Sequence, residues 1–486
     1  MRSISPNGVA GTRNPALERC LNRVRSHFDR VISEGVASDG ANPTRMWRAS
    51  FPTRTGLGSG TEERPAEIGE RVYRHIHAPG GTNLYWDQPH LLAAYTLSDH
   101  IGETSSAAAA DGYISDFLER CVAPNGVFLW GNHYYYDIRR GGAVRFRGDG
   151  EPVLCDMAAE TGEGHEIRPI PPAWEMFWEI SPEVTERAIR SALRGHLIDP
   201  ATGEFQVHAA GVPGNALLET GGLWVESLAW LCAKTGDRKL LEVARKIAAF
   251  SFGHRSAETG LIENHPTRTR WDKYTSTTEI GHWANALLRA SRHVSCDEWV
   301  EMADAAITGW LKFGYDEGAG RYFGRLKVAT GEAVMGPREF PYQPGDYSDV
   351  WEFLFPSHDY PMSFAECCLR LHEITGEERF EKACRRWANV IERDLPARGG
   401  SGGYAENYGK CILFLNGCAH RWGDESMRSL ALRVAREGEA VLFDDGVYRG
   451  HPGEHRLDAV DGVGYFLLAA MGLYSEIEPN MRGSGW

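Results

Sequence analysis

Apolar positions recur along this chain at helical spacing. In residues 239–250, Leu240, Leu241, Val243, Ala244, Ile247, Ala248 and Phe250 form one stripe, the arrangement by which a helix buries one face. The same layout returns in LAWLCAKTGDRKLLEVARKIAAFSF (228–252), LRLHEITGEERFEKACRRWANVIERDL (369–395), LNGCAHRWGDESMRSLALRVAREGEAVLF (415–443) and AAYTLSDHIGETSSAAAADGYISDFLERC (93–121). In each, an apolar helix runs to a glycine, an acidic residue follows, and an amphipathic helix begins at once. Glycine supplies a left-handed cap, and Asp or Glu favours the next helix N-terminus. Ser181-Pro182 is a further start signal, a capping residue before proline at the first helical position. Between the helical stretches lie Gly-rich aromatic segments: NGVFLWGNH (125–133), TGEFQVHAAG (202–211), TGLIENHP (259–266), AGRYFGRL (319–326) and DGVYRGHP (445–452). Their separation is that of a helical hairpin plus its loop. The pattern predicts an all-α fold, an (α/α) toroid of six or seven helical hairpins whose loops at one end converge on a cleft. With no long Pro-, Ser- or Gly-rich linker, it reads as one domain over 1–486.

Composition narrows the function classes. The apolar fraction is 42% and the charged fraction 24%, as in a globular chain. Net charge is −14 with no Lys/Arg block longer than a pair, which argues against nucleic acid as main partner. No apolar run of about 18 residues is present to span a membrane. The start MRSISPNGVAGTRNPALERC lacks the apolar centre of a signal peptide. Ten cysteines form no CxxC pair, so free buried thiols and a cytoplasmic location are expected. Many of the 15 Trp, 18 Tyr and 19 Phe fall in the loops, where ring faces can stack on sugar.

GNHYYYDIRR (131–140) is too polar for a core strand and too aromatic for an ordinary loop. Its His133 is followed downstream by His165-Glu166 and by His208, each in a loop flanking helical structure. In a toroid such loops can be neighbours. Two imidazoles and a carboxylate suit a divalent transition metal with open positions for water or substrate.

Residues 36–48, 82–102 and above all 125–211 resemble the metal-dependent pectate lyases of polysaccharide lyase family 2. The matching phrases are SDGANP (38–43), NGVFLWGNHYYYD (125–137), HEIRPIPPAWEMFWEISPEVTERAIRSALRGHLID (165–199) and the histidine at 208. The resemblance covers roughly the first half of the chain and is architectural over the second. It implies an (α/α)7 barrel and β-elimination of a pectate-like uronic-acid glycan to a 4,5-unsaturated uronide. It also implies a divalent cation, typically manganese, on His133, Glu166 and His208. Forty-two positions separate Glu166 from His208 without a gap, whereas the 33 from His133 to Glu166 include RGGAVRFRGDGEPVLCDMAAETGEG (140–164), which reads as an inserted loop. One position departs from the family: the base arginine before the last histidine is Val207 here.

Elimination needs a cation on the carboxylate and a base for the C5 proton. With Val207 inert, the candidates for the base are Tyr134, Tyr135, Tyr136, His165 and Arg168, followed by His265, Lys273 and Tyr274. Cations near a tyrosine favour phenolate, and in an extended segment Tyr134 and Tyr136 share one side while Tyr135 takes the other. An acidic oligosaccharide partner would need local cations. Arg139, Arg140, Arg145 and Arg147 supply them near the first loop, and Arg268, Arg270 and Lys273, beside Trp271 and Tyr274, near a later one. Asp458, Asp461, His451 and His455 in 444–465 either close the barrel or touch substrate. Two alternatives stand beside the lyase. One is an (α/α)-barrel glycoside hydrolase or epimerase, for which Glu263, Asp272, Glu279, Asp349, Glu352, Asp458 and Asp461 offer carboxylates. The other is a non-catalytic sugar-binding relative.

Overall fold

Fourteen α-helices, α1–α14, run through the described residues in hairpins. They are α1 (Pro15–Arg30), α2 (Leu84–Ile101), α3 (Ser105–Arg120), α4 (Trp174–Ile180), α5 (Pro182–His196), α6 (Leu218–Thr235) and α7 (Arg238–Gly253). They continue with α8 (Thr277–Val294), α9 (Asp297–Phe313), α10 (Met362–Thr375), α11 (Glu378–Asp394), α12 (Ala405–Trp422), α13 (Glu425–Leu442) and α14 (Val463–Ser475). The computed structural model describes residues 14–36, 42–54, 80–146, 152–267, 273–338, 344–351, 362–396 and 402–482.

The even-numbered helices form an inner ring. α6, α8, α10, α12, α14 and α2 pack in that order, and α14 also pairs with α1. The short α4 closes the gap: Ala173 N–H donates to Gln88 of α2 at 2.8 Å, and the Trp174 indole donates to Ser227 of α6 at 2.9 Å. The remaining helices lie outside, giving seven hairpins in an (α/α) toroid, as the pattern predicts. Burial follows position. Every residue of α14 from Val463 to Tyr474 is buried, and so is every residue of α6 from Leu218 to Cys232, as expected of helices apolar all round. Outer helices such as α11 bury one face only.

The turns form as predicted. Gly102, Gly236 and Gly423 cap α2, α6 and α12 in the left-handed region, and the Asp237 and Asp424 side chains cap α7 and α13. Ser181 does precede Pro182 and α5, but its side chain makes no capping bond. The ten cysteines carry no disulfide, and all but Cys155 are buried.

Hairpin topology fixes where chemistry can be. Each inner helix from α2 to α12 joins the outer helix that follows it through a short turn, and α14 enters from outer α13 as the others do from theirs, so all inner helices run the same way. Every outer-to-inner connection therefore lies at the end holding the inner-helix N-termini, and these connections are long. The region read as an inserted loop is partly sheet. Gly81–Thr82, Tyr134–Asp137, Gly142–Arg145 and Val153–Leu154 form four antiparallel strands. Ser50–Pro52 pairs with Arg456–Asp458, so the late acidic segment ties the two ends of the chain together. Among the described residues no helix is long and apolar enough to cross a membrane.

Candidate metal centre

His133 ends the turn before the strand Tyr134–Asp137, and Glu166 lies between that sheet and α4. His208 follows the strand Glu204–Phe205 in the next long loop. The backbone must come close for the three to meet. Gly131 sits at φ +88, where a Cβ would lie 3.0 Å from Glu166 Cγ, and a Cβ on Gly164 would lie 2.9 Å from His133 Cβ. Ala209 N–H donates to the His165 carbonyl at 3.1 Å and joins the two loops.

The three side chains converge. His133 Nε2 lies 3.1 Å from His208 Nε2, and His208 Nε2 lies 3.5 Å from Glu166 Oε2. One donor atom from each falls within 4.8 Å of the others. A cation about 2.0–2.2 Å from each donor requires donor separations of roughly 2.8–3.6 Å for octahedral to tetrahedral angles. Both closest distances lie in that range, so the donor set fits a divalent metal. Glu166 is 1% exposed. Burial works to raise its pKa, but the His208 hydrogen bond and the charges of Arg168 and His133 prevail and hold the carboxyl well below its ordinary range. Burial pulls the His133 pKa down, which favours the neutral imidazole a metal ligand needs.

A supporting layer holds these groups. Asn132 N–H donates to Glu166 Oε1 at 3.0 Å, and Arg168 Nε stands 3.4 Å from Glu166 Oε2. The Phe146 backbone hydrogen-bonds the His133 ring. Burial depresses His196 to about 3, so it is neutral. Its Nδ1–H donates to the Gln206 carbonyl at 2.8 Å, so Nε2 accepts from His165 Nδ1 at 2.9 Å. Gln206 Oε1 in turn accepts from His208 N–H at 3.2 Å. Sequence reading missed Asn132, His196 and Gln206. Only Gln206 left a signal, two positions before His208 in extended chain and thus on the same side.

The remaining candidates are engaged elsewhere. Tyr134 donates to Glu160 at 3.0 Å, and burial and the Glu160 charge push its pKa up. Tyr135, on the opposite face of the strand with Val144, is pushed up to about 12 by burial and Asp137. The Tyr136 hydroxyl accepts from Arg120 at 3.1 Å. For Tyr134 and Tyr135 these surroundings oppose the phenolate expected from nearby cations. His165 is buried, stacked on Trp130 at 5.9 Å. Arg168 is held between Glu166 and Glu219, the latter at 3.3 Å. Arg147, Arg268, Arg270, Trp271, Asp272 and Glu352 lie outside the described residues. Lys273 is exposed, and Tyr274 is half-buried with the Arg325 guanidinium 5.8 Å from its ring. Neither borders the cleft at the triad, which measures ≈ 300 Å³ and is lined by His133, Arg145, Phe146, Glu163, Gly164 and His208. Asp458 and Asp461 form a separate buried cluster with Glu454.

No family model matches the chain, and no curated protein matches it in sequence. Solved structures match in fold. An inactive variant of the GH76A α-1,6-mannanase of Salegentibacter sp. HEL1_6, bound to α-1,6-mannotetrose, shares 10% identity over 95% of this chain and 99% of its own, with a TM-score of 0.47. The cellobiose 2-epimerase of Spirochaeta thermophila DSM 6192 shares 14% over 63% and 84%, TM-score 0.47. A D-mannose isomerase shares 8% over 97% and 100%, TM-score 0.49. These findings correct the family expectation: the three structures above are a hydrolase, an epimerase and an isomerase, where pectate lyases were expected. The lyase activity, the pectate substrate and the β-elimination implied by the motifs are set aside. Val207 is 1% exposed, a buried apolar residue where the lyase needs its base, while Tyr134 and Tyr136 are engaged in hydrogen bonds and burial raises Tyr135. Scores this low extend to nothing beyond the helical toroid.

Proposed function

We propose that the chain is a carbohydrate-acting enzyme of epimerase or isomerase type, with a divalent transition metal, manganese first among the candidates, on His133, Glu166 and His208. The observation that carries the reading is the convergence of two imidazoles and one ionised, buried carboxylate at the wall of an open cleft. A cation there would supply Lewis acidity toward the oxygens of an open-chain sugar. The protein's own groups do the rest. Asn132 N–H and Arg168 keep Glu166 ionised and oriented. Glu163 and Arg145 line the same cleft, so Glu163 is the candidate to move a proton, and Arg145, 3.9 Å from Glu160, the candidate to bind a sugar oxygen or carboxylate. An acidic sugar is therefore admitted through Arg145 and not required. The cleft's volume is at the small end for ligand sites, which favours one or two sugar rings over a polymer. The cysteines without disulfides favour a reducing compartment.

A glycoside hydrolase reading needs two carboxylates facing each other, and with Glu166 engaged Glu163 is the one carboxylate among the described residues that line the cleft. The test pairs metal analysis with a panel of reducing sugars in heavy water, followed by NMR. The expected result is one manganese, zinc or cobalt ion per chain, lost in His208→Ala, and metal-dependent exchange of the sugar C2 proton. Hydrolysis of a glycoside without C2 exchange would replace the epimerase reading. Absence of stoichiometric metal in the unaltered chain would remove the centre itself.

A further inference from the structure

At the end opposite the long loops, the last turns of α8, α10 and α12 and the segment after α14 surround a cavity of ≈ 380 Å³. Arg292, Arg370 and Arg421 all line it. Their neutralisation is uneven. Arg370 is hydrogen-bonded through Nε and NH2 to Glu366, at 2.7 and 2.6 Å. Arg292 has Glu373 only at 3.6 Å. Arg421 faces the His372 ring at 3.3 Å and, among the described residues, forms no ion pair. Burial and the charge of Arg370 pull Arg292 below the usual guanidinium range, against the opposing pull of Glu373.

Each helix C-terminus favours a cation, and this accounts for Arg292 and Arg421 in the last turns of α8 and α12. It does not explain three turned toward one cavity. The rest of the lining is mixed, with Glu366, Glu373, Glu478 and His420 beside the arginines. Leu369, Leu413 and Met481 give apolar surface. The Asn416 side-chain oxygen is shielded from solvent and has no hydrogen-bond partner among the described residues. A ligand hydroxyl could donate to it. We infer that this cavity binds a small organic anion, its phosphate or carboxylate between Arg292 and Arg421 and its body against Leu369, Leu413 and Met481. Guanidinium groups match both anions through two-point contacts.

Titration calorimetry at low salt, with phenyl phosphate, phenylacetate and inorganic phosphate as probes, tests this on the full chain. Expected is saturable binding of one phenyl phosphate or phenylacetate per chain, tighter than inorganic phosphate, with the tighter of the two naming the anionic group. Arg421→Ala and Arg292→Ala should each weaken it about tenfold or more, while His133→Ala leaves it unchanged. Arg370 is left alone because its loss would strand the buried Glu366. The inference is overturned if no probe saturates, if both arginine variants bind as the parent does, or if binding disappears in His133→Ala, which would place the anion at the metal cleft.

Discussion

Gly131→Ala perturbs the candidate centre without touching a ligand. Two costs arise from the same Cβ. At φ +88 a non-glycine residue pays about 1–2 kcal/mol for left-handed backbone. The new atom would also stand 3.0 Å from Glu166 Cγ and 3.4 Å from the Glu166 carbonyl. Glu166 cannot simply swing away, because it is buried and fixed by Asn132 N–H at 3.0 Å. It must shift by a few tenths of an ångström, comparable to the ~0.5 Å within which a site has to be held. Metal affinity should therefore fall about 10- to 100-fold, the scale seen when supporting groups are altered. Gly164→Ala separates the two costs. Its backbone is not left-handed, but its Cβ would press His133 Cβ at 2.9 Å and Tyr134 Cε2 at 3.2 Å. It should lose metal affinity to a similar degree with a smaller loss of stability. Competition with a chelator measures affinity, and thermal unfolding of the metal-free protein measures stability. If both variants fold and bind manganese, zinc and cobalt as the parent does, close packing does not position these ligands and the geometric reasoning fails.

Burial drives Asp87 from 3.8 up to about 7 despite the 2.6 Å bond from Tyr113. An acid whose folded pKa is raised costs stability progressively as pH rises from the unfolded value toward the folded one. Asp87→Asn should thus gain on the parent between pH 3.8 and about 7, by up to ~4 kcal/mol in denaturant unfolding; a gap that does not change with pH would refute this. Arg289 pairs with Glu226 through two 2.7 Å bonds in the barrel interior. Arg289→Met leaves a buried carboxylate unpaired and should cost about 3–5 kcal/mol, most of it recovered in Arg289→Met/Glu226→Leu; equal unfolding midpoints for single and double variants would count against the pair.

The helical architecture was legible because it is local. Repeated glycine turns with acidic residues after them specify hairpins, and hairpins closed in a ring leave few other arrangements. His133, Glu166 and His208 were legible as motif members, and the geometry brings them together. The sheet over the mouth was not, because its strands are two to four residues long and their pairing is set by contacts outside the segment. The supporting residues were hidden for a related reason. His196 is an ordinary helix-end histidine in sequence, and only the fold sets it between His165 and the Gln206 carbonyl. The reaction was misread where a motif resemblance was carried further than its residues allowed. Val207 already stood where the lyase base belongs.

The common direction of the inner helices also explains how charge is distributed. Their N-termini meet at the long-loop end, and Glu219, Glu279 and Glu406 occupy first turns there, where the helix dipole favours an anion. Their C-termini meet at the other end, where Arg292 and Arg421 stand. Between the two, the interior is not a plain apolar core. Glu366 binds Arg370 and accepts from Asn285 at 3.3 Å, and Arg289 stands 3.9 Å from it while holding Glu226. Such buried pairs add little net stability over apolar replacements, yet breaking one is costly. They penalise any register of α6, α8 and α10 that separates the partners, and so help to set the relative height of the helices whose ends build both the metal cleft and the arginine-lined cavity.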